Sequence, residues 1–111
     1  MDDDAVFRAL ADKARRQLLD RLRDRNGQTL SQLCEGAKMT RQALSKHIAV
    51  LERANLVICR REGREKLHFI NIMPINALAR RWMSKFDEQM AQGLTAFGDH
   101  LEGANDERDT E

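Results

Sequence analysis

The chain has 111 residues, with 19 Lys plus Arg, 18 Asp plus Glu and a hydrophobic fraction of 41%, which fits one domain with a small core. No apolar run approaches the roughly 18 residues that cross a bilayer, and the acidic start Met1-Asp2-Asp3-Asp4 is unlike the basic start of a signal peptide. We therefore expect a cytoplasmic protein without a membrane partner, whose two cysteines are reduced thiols.

Charge is distributed unevenly along the chain, although the net charge is only +1. Residues 38–66 hold eight basic and three acidic side chains, whereas residues 67–111 hold four basic and eight acidic ones. Nucleic-acid binding depends on where positive charge lies and not on its sum. The middle of the chain is therefore the candidate for contact with a polyanion, and a solvated charged surface is the ordinary alternative.

The first 27 residues predict two helices. Val6, Phe7 and Leu10 lie at helical spacing, and Asp12 is a suitable N-cap for a second helix. The apolar positions of that second helix are Leu18, Leu19 and Leu22. We expect it to end near Asn26-Gly27, a pair that accepts the left-handed backbone of a helix terminus.

Two further helices follow, and the second of them has a polar outer face. Thr29 is an N-cap for a short helix that ends at Gly36, and Thr40 is an N-cap for the longer one. In the longer helix the apolar side consists of Leu44, Ile48 and Leu51. The opposite side holds no acidic residue and consists of Gln42, Ser45, Lys46, Ala49 and Arg53. With Arg41 in the first turn, this side suits the wall of a DNA groove.

Residues 56–72 predict a β-hairpin, because two β-prone runs flank a short turn that contains Gly63. We expect Leu67, Phe69 and Ile72 to mark the buried side of the hairpin. The tip is basic, and its cations are Arg60, Arg61, Arg64 and Lys66.

A last helix follows the hairpin. Pro74 is placed for its first turn, the region of a helix that tolerates proline. A long apolar stripe then recurs every four residues, at Leu78, Trp82, Phe86, Met90 and Leu94. Residues 103–111 are polar and acidic, which predicts a disordered tail after a domain of residues 1–102.

The third and fourth helices together are typical of a helix-turn-helix, and the basic hairpin behind them makes it a winged one. The predicted fold class is therefore mainly α, with five helices and a two-stranded β-hairpin wing. The second helix of such a motif fits the major groove of double-stranded DNA, where its N-terminal residues reach base edges. Arginines of the wing then lie along the DNA backbone or in the adjacent minor groove.

With these elements in place, the sequence resembles the ArsR-type family of small bacterial winged-helix repressors. The likeness covers about residues 5–97. It is carried by residues 7–12 with Arg15, Arg16 and Leu19, by residues 40–48 with Leu51, and by residues 54–57 and 61–64. One departure is Asn55, where the family often has Gly, and Asn also accepts the left-handed conformation.

The resemblance implies a homodimer, paired through its first and last helices, that binds an inverted-repeat operator and blocks transcription, often of its own operon. By position, the implied DNA-binding residues are Thr40, Arg41, Gln42, Ser45, Lys46, Arg61 and Arg64. The implied dimer interface consists of Val6, Phe7, Leu10, Leu78, Trp82, Phe86, Met90 and Leu94.

The sequence departs from the metal-sensing members of the family. Many of these carry a closely spaced cysteine pair before the recognition helix, where this chain has Cys34 alone. Others use an Asp and His pair on the last helix, but Asp87 is followed two residues later by Gln89, which leaves His100 and Glu102 without that pair. We therefore predict no metal site and no cofactor, and the effector stays unknown.

Several side chains have two interpretations. Cys34 and Cys59 form either a thiol switch or ordinary packed cysteines. His47 lies nearer the buried side of its helix, which favours a hydrogen-bonded role over a phosphate contact. Trp82 and Phe86 fit a dimer core better than an effector pocket between subunits.

Two classes of function follow from these patterns. The first is a DNA-binding transcriptional repressor, and the second is a protein-interaction module that binds an acidic partner protein on the same scaffold. An interaction module is expected to expose apolar anchors on the outer face of residues 41–53, where only Ala49 is apolar. An enzyme is disfavoured, because the sequence offers no nucleophile and base pair, no carboxylate pair in a cleft and no phosphate-binding glycine loop.

Overall fold

The computed structural model describes residues 2–97, and they form five helices and one hairpin. In chain order the elements are α1 (Asp3–Leu10), α2 (Lys13–Asp24), α3 (Leu30–Glu35), α4 (Arg41–Arg53), β1 (Val57–Glu62), β2 (Glu65–Ile70) and α5 (Met73–Phe97). The predicted fold class is confirmed. The predicted tail of residues 103–111 and the side chain of Leu94 lie outside the described part of the chain.

Three of the predicted N-caps are confirmed by hydrogen bonds. The carboxylate of Asp12 accepts from the backbone N–H groups of Ala14 and Arg15, at 2.8 and 3.2 Å. Thr29 forms a reciprocal capping box with Gln32 at the start of α3. Thr40 Oγ1 accepts from a backbone N–H of the first turn of α4 at 3.1 Å. These caps fix where α2, α3 and α4 begin.

The residues up to Ala77 form one compact unit, with a core built from α1 to α4 and the base of the hairpin. Its fully buried apolar side chains include Val6, Leu18, Leu22, Leu33, Leu44, Leu51 and Leu56. Val6 therefore belongs to the core of the protomer. Of the α1 residues assigned to a dimer interface, Phe7 is the one whose side chain is exposed.

The hairpin is antiparallel and closes through a two-residue turn. Glu62 pairs with Glu65, which leaves Gly63 and Arg64 at the tip, and Gly63 adopts a φ of +64°. At the other end, Asn55 joins α4 to β1 with a φ of +61°, so its backbone is left-handed as the sequence predicts.

The predicted buried side of the hairpin is wrong. His68 is the buried residue of β2, with 3% of its surface exposed, whereas Leu67 and Phe69 are partly exposed. Ile72 is 60% exposed and lies beyond the end of β2. The physical reason is a third backbone segment, because Gln28 pairs with β2 at His68 and its carbonyl accepts a hydrogen bond from the His68 ring.

The pairing of Gln28 with His68 satisfies every polar group that it buries. The N–H of Gln28 donates to the carbonyl of His68 at 3.1 Å, and the N–H of His68 donates back at 2.8 Å. The His68 ring donates from Nδ1 to the same Gln28 carbonyl at 2.9 Å. The Gln28 side chain donates to the carbonyls of Arg21 and Arg25. A buried imidazole is stable here because these partners replace water.

The residues from Leu78 onward belong to a second unit, the long continuation of α5. Pro74 lies in the first turn of this helix, as predicted. Trp82, Phe86 and Met90 are exposed on α5, and Trp82 has 56% of its surface accessible. Within residues 2–97, no helix is both long and apolar enough to cross a membrane.

Candidate nucleic-acid interface

Helix α4 presents a polar face outward, in the arrangement that its sequence predicts. Leu44, Ile48 and Leu51 are buried beneath the helix. The exposed side chains on the opposite face are those of Arg41, Gln42, Ser45, Lys46 and Arg53. Thr40 is also exposed, and its hydroxyl is used as the helix cap. The N-terminal part of α4 therefore offers four donors or cations, Arg41, Gln42, Ser45 and Lys46, without a carboxylate on that face.

Helices α3 and α4 form the two arms of the helix-turn-helix. Arg41 at the start of α4 donates from Nη1 to the hydroxyl of Ser31 on α3 at 3.2 Å. Below them, the Arg21 guanidinium donates to the carbonyls of Leu33 and Gln32, which lie near the C-terminal end of α3. Cations are favourable at that end of a helix. The two contacts fix α3 between α2 and α4.

A groove of about 520 Å³ runs between α4 and the wing. Ser45 and Ala49 line it from α4, and Arg61 and Lys66 line it from the two strands of the hairpin. Arg61 and Lys66 are directly paired across the hairpin. Because side chains alternate along a strand, both cations share the face of buried His68 and point toward α4.

The structure places Lys66 in the same groove as the predicted DNA-binding residues Arg61 and Arg64, and it distinguishes Arg61 from its neighbour. Arg60 lies on the other face of the wing, with its guanidinium 5.1 Å from the centre of the Phe69 ring and 3.8 Å from a Glu62 oxygen. Arg64 lines the groove from the turn. The burial of His68, two residues from Lys66, is the signal that gives this orientation.

Two acidic residues, Glu52 and Glu65, line the groove, and a cysteine forms a hydrogen bond with the first of them. Cys59 Sγ donates to a carboxylate oxygen of Glu52 at 3.0 Å, which connects β1 to the last turn of α4. Burial raises the pKa of the Cys59 thiol to about 11, and the hydrogen bond to Glu52 acts in the same direction. Both cysteines are free and half-buried.

Arg15 connects α1 to α4. It donates from Nε to the carbonyl of Ala9 at 2.9 Å and from Nη2 to the carbonyl of Arg8 at 2.8 Å. Its Nη1 lies 3.3 Å from Nδ1 of His47, which accepts because guanidinium has only donors. His47 is half-buried and hydrogen-bonded, as the sequence predicts.

Among residues 2–97, no group of three or more His, Cys, Asp or Glu side chains is arranged to hold a metal ion. His100 and Glu102 lie outside the described residues.

Comparison with known proteins identifies the helix-turn-helix in this chain. A family model described as a helix-turn-helix domain matches residues 10–60. The uncharacterized HTH-type transcriptional regulator YuzN of Bacillus subtilis (strain 168) is 40% identical over 86 residues, which make up 72% of this chain and 94% of that protein.

Solved structures of similar proteins share the fold. An ArsR family transcriptional regulator is 31% identical with a TM-score of 0.64, and the match covers 79% of this chain and 89% of that one. An ArsR-like transcriptional regulator from Rhodococcus sp. RHA1 is 28% identical with a TM-score of 0.66, over 85% of this chain and 91% of that one. The chain therefore belongs to the ArsR-type family of winged helix-turn-helix proteins and is a DNA-binding transcriptional regulator rather than an enzyme, as its sequence predicts.

Proposed function

We propose that the protein is a homodimeric repressor that binds an inverted-repeat operator through α4 and the wing, and that its own operon is among its targets. The observation that carries this proposal is the cationic groove between α4 and the wing, which Arg41, Arg61, Arg64 and Lys66 line, with Lys46 exposed beside it on α4. Such a surface fits a major groove and its flanking phosphates.

The assigned roles follow from position on this surface. Gln42, Ser45 and Lys46 lie in the first two turns of α4, where side chains reach base edges. Thr40 and Arg41 lie at the helix N-terminus, which favours phosphate. Arg61, Arg64 and Lys66 are placed to contact the backbone beside the wing.

Exposed apolar side chains on α1 and α5 support the dimeric state. Phe7, Trp82, Met83, Phe86 and Met90 are each at least 42% exposed. Monomeric soluble proteins rarely leave so many large apolar side chains in water. A twofold dimer presents two recognition helices to the two halves of a palindromic operator.

The experiment is fluorescence anisotropy of the full-length protein on the DNA upstream of its own gene, against scrambled DNA of equal length, at several salt concentrations. We expect tight, sequence-dependent binding with a steep salt dependence. Equal, weak binding to both DNAs contradicts the assignment to this operator. In that case a pull-down tests the alternative, an interaction with an acidic partner protein. The outer face of α4 disfavours this alternative, because it exposes few apolar side chains.

A further inference from the structure

A second basic pocket lies between α1 and the C-terminal half of α4, separate from the groove under the wing. Its volume is about 690 Å³. Three arginines line it, namely Arg8, Arg15 and Arg53. Asp2 is the acidic residue of the lining. The remaining lining residues are small or apolar and include Ala5 and Ala11.

The positive charge of this pocket is available to a ligand. The Asp2 carboxylate accepts from the backbone N–H of Ala5 at 3.1 Å and serves as the N-cap of α1. Among residues 2–97, no carboxylate forms an ion pair with the Arg8 or Arg53 guanidinium. Arg15 is hydrogen-bonded to two backbone carbonyls and His47, and its Nη1 lies 3.9 Å from a carboxylate oxygen of Asp12. Guanidinium N–H groups beyond its three hydrogen-bond donors remain for a ligand.

The pocket adjoins the DNA-facing side of α4. Arg53 follows Lys46 by seven residues, which places it on nearly the same face about 10.5 Å further along the helix axis. Arg53 is exposed there, with Arg8 and Arg15 lining the pocket beside it. The cationic surface of α4 therefore continues past its C-terminal end onto α1.

We propose that Arg8, Arg15 and Arg53 form a phosphate clamp for the DNA backbone, which extends the contact beyond the recognition helix. This inference rests on the proposed function. Guanidinium groups bind phosphate oxygens in pairs of parallel hydrogen bonds, and the alanines of the lining leave room for the sugar-phosphate chain. Since a phosphate contact carries no base information, the clamp adds affinity on every sequence.

The test compares the salt dependence of the full-length R8A/R53A variant with that of the wild type, by anisotropy on operator and on scrambled DNA. If each clamp neutralises one phosphate, a dimer loses two contacts, and the slope of log K against log salt becomes shallower by about 1.8. Between 50 and 200 mM salt, the wild-type affinity then falls about 12-fold more than that of the variant. The decrease in slope is expected to be the same on operator and on scrambled DNA.

Two controls separate charge at this site from other effects. R23A/R25A removes the same charge from the end of α2, outside the pocket, and is expected to leave the slope within 0.5 of wild type. R8K/R53K retains the charge and is expected to restore most of the slope. An R8A/R53A variant with a wild-type slope overturns the clamp.

A final arm distinguishes DNA from a free anion and separates this inference from the repressor proposal. The Tm of each protein is measured in inorganic phosphate and in chloride of equal ionic strength. If phosphate raises the Tm of the wild type, and R8A/R53A loses this rise but keeps the wild-type salt slope on DNA, the pocket binds a free anion. That result overturns the clamp. A wild type without operator preference contradicts the repressor alone, because the clamp is also measured on scrambled DNA.

Discussion

Cys59 Sγ donates a hydrogen bond to Glu52 at 3.0 Å, so a thiol of the wing holds a carboxylate of the recognition helix. The pKa of this thiol is raised to about 11 by burial and by Glu52. Because the thiolate is the reactive form of cysteine, Cys59 is a poor nucleophile at neutral pH. Its setting is that of an ordinary packed cysteine and not of a reactive thiol.

We expect Cys59 to react with iodoacetamide more slowly than an unperturbed thiol at pH 7 to 8, with a rate that rises about tenfold per pH unit and does not level off until the pH passes about 11, measured by mass spectrometry in a Cys34→Ser background. The raised pKa also predicts the direction of stability. The hydrogen-bonded thiol stabilises the folded state fully below its ordinary pKa of 9.0, and this contribution is lost as the pH rises through about 11. The difference in free energy of unfolding between C34S and C34S/C59A should therefore shrink between pH 9 and 11. A rate at pH 7 equal to that of an unfolded control contradicts this view of Cys59.

Lys46→Ala should weaken operator binding without unfolding the protein, since the side chain is exposed on α4. If Lys46 contacts phosphate, affinity falls equally on all sequences and the salt slope becomes shallower. If it contacts a base, specificity relaxes by about 1–3 kcal/mol at one position of the operator. Anisotropy on operator variants decides between these outcomes, with exposed Lys13→Ala on α2 as the control. Unchanged affinity in K46A contradicts the proposed docking of α4.

The two faces of the wing should differ in their effect on DNA. Arg61 and Lys66 line the groove beside α4, whereas Arg60 stacks on Phe69 on the other face. R61A/K66A is therefore expected to lower operator affinity and to shorten the hydroxyl-radical footprint at both ends. R60A removes a neighbouring cation and should leave the footprint at full length. A shorter footprint in R60A alone means that the wing meets DNA with its other face.

Asn55→Ala should destabilise the fold by about 1 kcal/mol, because the residue has a φ of +61° and alanine tolerates the left-handed region poorly. Asn55→Gly relieves the same restriction and should be close to neutral. Urea unfolding followed by circular dichroism measures both variants. A larger loss in N55G than in N55A contradicts the argument from backbone conformation.

Phe86→Asp should convert a dimer to a monomer, since it places a charge in the apolar stripe of α5. Sedimentation velocity measures the change in mass, and operator affinity is expected to fall with it. Ser84→Asp adds the same charge to an exposed position on the opposite side of α5 and should leave the dimer intact. A wild-type protein that sediments as a monomer at micromolar concentration contradicts the dimer directly.

The helices of this fold are predictable from the sequence, because each has a local signal. Asp12, Thr29 and Thr40 cap helices by hydrogen bonds within three residues along the chain, and the apolar spacing of α4 decides which face is buried. These signals do not depend on distant parts of the chain. The outward face of α4 therefore follows from the sequence alone.

The orientation of the wing was not predictable in the same way. Leu67 and Phe69 are more apolar than His68, so hydrophobicity selects the wrong side of β2. His68 is buried because Gln28, forty residues earlier, supplies the hydrogen bonds that an imidazole needs. A change of one residue in strand parity moves every side chain to the other face. Because the predicted parity of β2 was wrong, Lys66 was not predicted to lie in the groove.

The pairing of Gln28 with the base of β2 also bears on self-association. An open strand edge is a template for addition of another chain. Gln28 occupies the β2 edge at its base, and charged Glu65 and Lys66 follow on the same strand toward the tip. On β1, Arg60, Arg61 and Glu62 place charges on the same end of the hairpin. An exposed hairpin whose edges are paired or charged in this way is thus protected against stacking with other copies into fibrils.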